Sequence, residues 1–214
     1  MSANIDTRQD AKAATTTAAP AGMGSGGRTG TWAYCVGIDP DVERNGVALL
    51  EIATRKLTVR LLPFAETVEY IKDLHRRLVV EQGWKPGGGL KVIIEAGWMH
   101  KSNWHLQRFD GRQVAAAKGV SQGRNEQTSR LLGEMMGFLG IPYLFRQPLL
   151  KCWSGKDRKI TKEELEEITG QSLGRLNQEG RDAALLAWNE VGFPMKVSVA
   201  TMSKARAVRR PWGW

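Results

Sequence analysis

The chain has 214 residues, 42% of them hydrophobic, and 31 Lys plus Arg against 22 Asp plus Glu give a formal charge of +9. A chain of this length buries an ordinary core unaided; its two cysteines, Cys35 and Cys152, form no CxxC and no cluster with histidine, which excludes a disulfide framework and a structural zinc site and points to a reducing, cytoplasmic setting. The longest apolar stretches, 47–50 and 183–188, fall far short of the roughly 18 to 20 residues of a membrane span, and the first residues hold no apolar segment of the kind that directs secretion.

In chain order, residues 1–30 are Ala, Thr and Gly with almost no large apolar side chain, too little to offset the entropy of ordering them, and read as a disordered leader. The run WAYCVGID, the turn PDVERNG, then GVALLEI and RKLTVRLLP predict three consecutive strands joined antiparallel by short turns. Val68, Ile71, Leu74, Leu78 and Val79 recur at helical spacing, and KPGGG stops that helix. KVIIE is a short buried strand ending on Glu95, followed by a polar, aromatic stretch to about Arg112. Leu131, Leu132, Met135, Met136 and Leu139 make a second helical stripe closed by Gly140, in a helix reaching back as far as Gln113 with a bend near Gly119 and Gly123. IPYLF is a fifth strand, Thr161 and Glu164 have capping-box spacing, and a last helix runs from about Gln178 to Glu190. The order βββαβαβαα predicts an α/β domain over residues 31–192, with a mixed sheet whose later strands are reached through helical crossovers, followed by a basic, Trp-containing tail over 193–214.

The charge is segregated. Residues 97–130 hold six basic residues against Asp110 and Glu126, residues 145–162 hold six against Asp157, and the last 24 residues hold five against no acid, which leaves the remainder net acidic. Positive charge gathered into segments is the electrostatic footprint of a partner with a phosphate backbone, although a solvated basic surface has the same composition.

Four acids stand out. Asp39 ends the first strand, Glu95 ends the fourth, and Glu179 and Asp182 lie three apart at the start of the last helix, hence on one face. If the first and fourth strands are parallel neighbours, both strand-end carboxylates project from one sheet edge, and the helix can supply the others. Carboxylates within about 4 Å repel by roughly 4 kcal/mol per pair, so such a cluster calls for hard cations, Mg²⁺ or Mn²⁺, and a two-ion site suits phosphodiester hydrolysis. Each acid also has an ordinary structural use: Glu179 and Asp182 favour a helix N-terminus, and Asp39 precedes a proline turn.

These residues carry a resemblance. GIDPDVERNGVALLE resembles the opening strands of the RuvC family of Holliday junction endonucleases, IIEAGW resembles that family's second acidic motif, and NQEGRDAALLAW is similar to its closing helix. The resemblance covers most of residues 33–190 and implies an RNase H-like fold with a five-stranded sheet, three strands antiparallel and two parallel. It also implies Asp39, Glu95, Glu179 and Asp182 as the catalytic, metal-binding set for two Mg²⁺ or Mn²⁺ ions, and a homodimer that cuts four-way or other branched DNA. Asp41 stands where the family usually has glycine, and Glu179 where it more often has Asp. By the same resemblance, Trp98 stacks on an unpaired base, and Lys151 and Lys162 border the active cleft. Around these, Lys101, Trp104, His105, Arg108, Lys118 and Lys156 mix cations with rings as a nucleic-acid surface does. His100 and His105 suit phosphate or surface contacts better than metal ligation. Two other readings stay open: a nuclease-fold protein that binds branched or single-stranded nucleic acid without cutting it, and an RNA-processing nuclease resembling the YqgF-type group. GSGGRTG, KPGGGLK and DPDVERNG fail as phosphate or calcium loops on glycine position and context.

Overall fold

The computed structural model describes residues 32–85, 88–99, 111–198 and 200–201. Strands β1 (Tyr34–Asp39), β2 (Asn45–Glu51) and β3 (Lys56–Leu62) pair antiparallel, as their short turns require. Helix α1 (Phe64–Val80) returns the chain to β4 (Leu90–Glu95), and α2 (Arg112–Phe138) returns it to β5 (Tyr143–Arg146). Both later strands run parallel to their neighbours, in the sheet order β3-β2-β1-β4-β5. Helices α3 (Lys162–Thr169) and α4 (Gln178–Glu190) complete the domain. This is a mixed five-stranded α/β sheet, three strands antiparallel and two parallel, flanked by helices. Helix α2 runs unbroken through Gly119 and Gly123, where the sequence suggested a bend.

Side-chain alternation along the strands gives the sheet two faces. Val36, Ile38, Val47, Val92 and Ile94 point to one, where the α1 stripe of Val68, Ile71, Leu74 and Leu78 joins Leu132 and Met136 of α2. Cys35, Ala48, Leu50 and Ile93 point to the other, against Ala183, Ala184, Leu186 and Ala187 of α4 and Leu165 and Ile168 of α3. Covered on both faces, β1 and β4 are apolar without polar alternation.

Helix α4 lies unusually close to the sheet because both surfaces are small. A Cβ on Gly37 would stand 2.3 Å from the Ala183 carbonyl oxygen, and one on Gly46 would stand 2.1 Å from that of Glu179. The first turn of α4 therefore rests on the backbone of β2 beside Asp39, which pairs with Gly46 across β1 and β2. At its far end Glu190 is held by Lys91 Nζ at 2.6 Å and by Arg146, whose Nε and Nη2 donate to the two carboxylate oxygens at 2.8 and 2.9 Å. Residues 193–198, assigned from sequence to the tail, turn back onto this layer: Phe193 meets Trp188 edge-on at 4.8 Å, and Trp188 Nε1 donates to the Pro194 carbonyl at 3.0 Å. Among the described residues no helix is long and apolar enough to cross a membrane.

Candidate active site

Parity and register bring the acids together. Cys35, Gly37 and Asp39 share the α4 face of β1, and Lys91, Ile93 and Glu95 share the same face of β4. In the parallel register Gly37 lies opposite Ile93 and Ile38 opposite Ile94, so the next pair along is Asp39 and Glu95, both at strand C-terminal ends. Helix α4 runs antiparallel to these strands. Its Glu190 meets Lys91, and eight helical residues, about 12 Å, match the four strand residues, about 13 Å, that separate Lys91 from Glu95. Asp182 thus arrives beside Glu95. The start of α4 is fixed by Asn177, whose Oδ1 accepts from the Gly180 amide at 2.9 Å.

The carboxylates act on one another. Burial, then the charges of Glu95 and Asp182, push Asp39 well above the ordinary carboxylate range; Glu179 adds to this more weakly, and the cation of Lys159 opposes it. Burial and Asp182 push Glu95 up to about 7, against Lys159 and Lys151. Burial also raises Asp182, although Lys159 and a 2.8 Å hydrogen bond from Gln178 Nε2 pull the other way. Lys159 Nζ lies 3.4 Å from Asp182 Oδ2. The four acids form an open floor: among the described residues, no group of three or more His, Cys, Asp or Glu side chains stands in a geometry that would hold a metal ion as it is. The donors are nonetheless carboxylate oxygens, and their mutual repulsion favours any hard cation that enters.

That floor opens into a cleft of about 830 Å³. Asp39, Glu95, Glu179 and Asp182 all line it, as do Lys118 from α2 and Lys151 from the segment after β5. Lys151 is held below the usual lysine range by burial and by Lys159. Lys156 is exposed beside the cleft, outside its lining, and Lys162 lies in the first turn of α3, 3.7 Å from Glu166. Trp98 meets Phe145 edge-on at 4.9 Å, with the Arg130 guanidinium 4.1 Å from its ring centre, so within the protein one side of the indole already carries a cation. Lys101 and Arg108, with His100, Trp104 and His105, lie outside the described residues.

Asp41 also lines the cleft, but it has a local use. Its Oδ1 accepts from the Glu43 and Arg44 amides at 2.9 and 3.4 Å, closing the β1–β2 turn. The Asp41 amide donates to buried Asn45, which in turn donates to Thr67 of α1. Two groups escaped the sequence reading as site residues. Lys159, which the sequence offered only within the basic run of residues 145–162, pairs with Asp182. A stripe on α2, Ser121, Gln122, Asn125, Glu126 and Ser129, also lines the cleft, and its three-and-four spacing was the available signal.

No family model matches the chain, and no curated protein matches it either. Among solved structures, its fold is similar to that of T. thermophilus RuvC in complex with Holliday junction substrate, at 15% identity over 75% of this chain and 96% of that chain, with a TM-score of 0.39. Function therefore rests on the residues of the cleft.

Proposed function

We propose that the protein is a metal-dependent, structure-selective DNA endonuclease that hydrolyses phosphodiester bonds in four-way or other branched DNA and works as a homodimer. The observation that carries this reading is the pairing of Asp39 and Glu95 at the ends of parallel β1 and β4, with Asp182 brought beside them by α4. Asp39, Glu95 and Asp182, with Glu179 at the margin, would hold two Mg²⁺ or Mn²⁺ ions. Bound there, such ions supply a water nucleophile and stabilise the leaving oxygen. The chain's own groups supply position and charge. Lys151, Lys159 and Lys118, which line the cleft, would offer cations to the scissile phosphate. The three sequence motifs that resemble the RuvC family direct the choice of branched DNA and of a dimer.

A second reading, a binder of branched nucleic acid that does not cut, draws on the open geometry of the floor and on the lysine already paired with Asp182. Labelled four-way junctions, linear duplex and RNA, each incubated with the protein in Mg²⁺ and in Mn²⁺, separate the possibilities. Preferential nicking of junctions, abolished by Asp39→Asn, is expected. Tight junction binding without nicking in either metal would favour the binder, and preferential RNA cleavage would move the substrate class to RNA.

A further inference from the structure

Lys159 stands where a mobile surface lysine would not. The loop between β5 and α3 is closed by Trp153 N donating to the Arg158 carbonyl at 3.1 Å, Arg158 N to Gly155 at 2.9 Å, and Lys159 N to Lys156 at 3.1 Å. To make that closure Asp157 and Arg158 adopt φ of 54° and 60°, a region costly for side chains with a Cβ. A Cβ on Gly155 would meet the Lys159 carbonyl oxygen at 2.0 Å, so the loop folds directly back on itself. Two anchors then fix it. Buried Glu164 accepts from the Ser154 amide at 2.8 Å and the Thr161 amide at 2.9 Å, clamping both ends. Arg181 of α4 donates through Nε to the carbonyl of buried Ile160 at 3.1 Å, tying the residue after Lys159 to the helix that carries Asp182.

The result is a cation built into the acidic floor. Asp182 has both oxygens engaged, Oδ1 by Gln178 and Oδ2 by Lys159, and the same ammonium opposes the charge on Asp39 and Glu95. Resting on the metal-binding role proposed above, we propose that Lys159 is the floor's resident counter-cation, which a divalent ion displaces from Asp182 on entry. The lysine thereby lowers the site's affinity for metal, holds the metal-free protein together, and is freed toward substrate phosphate once an ion is in place. Like charges cannot share Asp182 at this range without large repulsion, and a divalent ion brings twice the charge.

Calorimetric titration of Mn²⁺ into the full chain, without nucleic acid, tests this in the wild type, Lys159→Met and Lys159→Arg. Lys159→Met keeps the stem length and removes the charge. It is expected to bind Mn²⁺ about tenfold more tightly, and to melt at a lower temperature without metal, the gap closing at saturating Mn²⁺. Lys159→Arg is expected to match the wild type in affinity. Equal or weaker Mn²⁺ binding by Lys159→Met would overturn the counter-cation role while leaving the proposed function standing. The same tightening in Lys159→Arg would overturn it by showing that shape matters and charge does not. Absence of Mn²⁺ uptake from every variant would overturn the proposed function and this inference with it.

Discussion

Asp39 carries two opposed duties, which makes its substitution informative. Its carboxyl is desolvated and faces Glu95 and Asp182, so in the metal-free protein its charge is a cost to folding, whereas in the proposed reaction that same charge would hold the metal. Asp39→Asn is therefore expected to abolish nicking, by roughly a thousandfold or more, while raising the metal-free melting temperature by about 3 °C. Parallel activity assays and thermal melts check both signs; a loss of stability would mean that Asp39 serves mainly as a turn residue. Glu95 extends the point to pH. Its folded value of about 7 lies above the ordinary 4.5, so the folded state holds the extra proton. The stability linked to Glu95 is complete below about 4.5 and is lost as pH rises through 7, at most about 3 kcal/mol in the absence of metal. Denaturant unfolding from pH 4.5 to 8 should show that decline in the wild type and a flatter profile in Glu95→Gln. Asp41 was legible in the sequence as an added charge, but its work for the turn amides was not.

Helix α4 joins the two ends of the domain, and its ends titrate in opposite directions. At its C-terminal end burial would raise Glu190, yet the hydrogen bonds from Arg146 and Lys91 hold it below the usual range. Its contribution is present above that range and is lost as pH falls through the folded value, the reverse of Glu95. Glu190→Gln should cost about 2 kcal/mol at neutral pH, seen as a lower denaturation midpoint, because Arg146 and Lys91 lose their shared partner. The N-terminal end depends on close approach. In Gly46→Ala the new methyl would meet the Glu179 carbonyl, so α4 must move outward, costing roughly 1 to 3 kcal/mol. Junction cleavage should fall further than that loss of stability explains, which activity measured well below the melting temperature will show. The sequence placed α4 at about Gln178 to Glu190, and the structure has it over Gln178–Glu190, with the apolar run 183–188 buried. The first half of α2 gave no such signal, because the side chains it turns inward line a polar cleft.

On the scale of the whole molecule, the cleft sets lysines beside an acidic floor. Lys118 of α2 and Lys151 of the segment after β5 both line it. If both meet phosphates, junction affinity falls steeply with salt, and Lys118→Ala or Lys151→Ala should each lower the slope of log affinity against log salt by about 0.9. Binding measured over a range of KCl concentrations in Ca²⁺, with Asp39→Asn to prevent cutting, checks this. An unchanged slope for both variants would place the nucleic acid elsewhere on the surface.

The sequence by itself determined the order of the elements, the two buried strands, the last helix and the four acids at their ends. Each of these is written in short local runs bounded by turn or capping residues, after which a pleat of two or a turn of 3.6 residues decides which side chains share a face. Only the tertiary structure decided which residue of the basic run after β5 pairs with Asp182 and how closely the acids approach. Lys159, rather than Lys156 or Lys162, reaches Asp182 because two residues at positive φ fold the loop back and Glu164 and Arg181 clamp it there. The spacing of the acids follows from backbone contact at Gly37 and Gly46, between segments more than 130 residues apart. Neither arrangement has a local signature, since both arise from contacts between surfaces that exist only once the chain has folded.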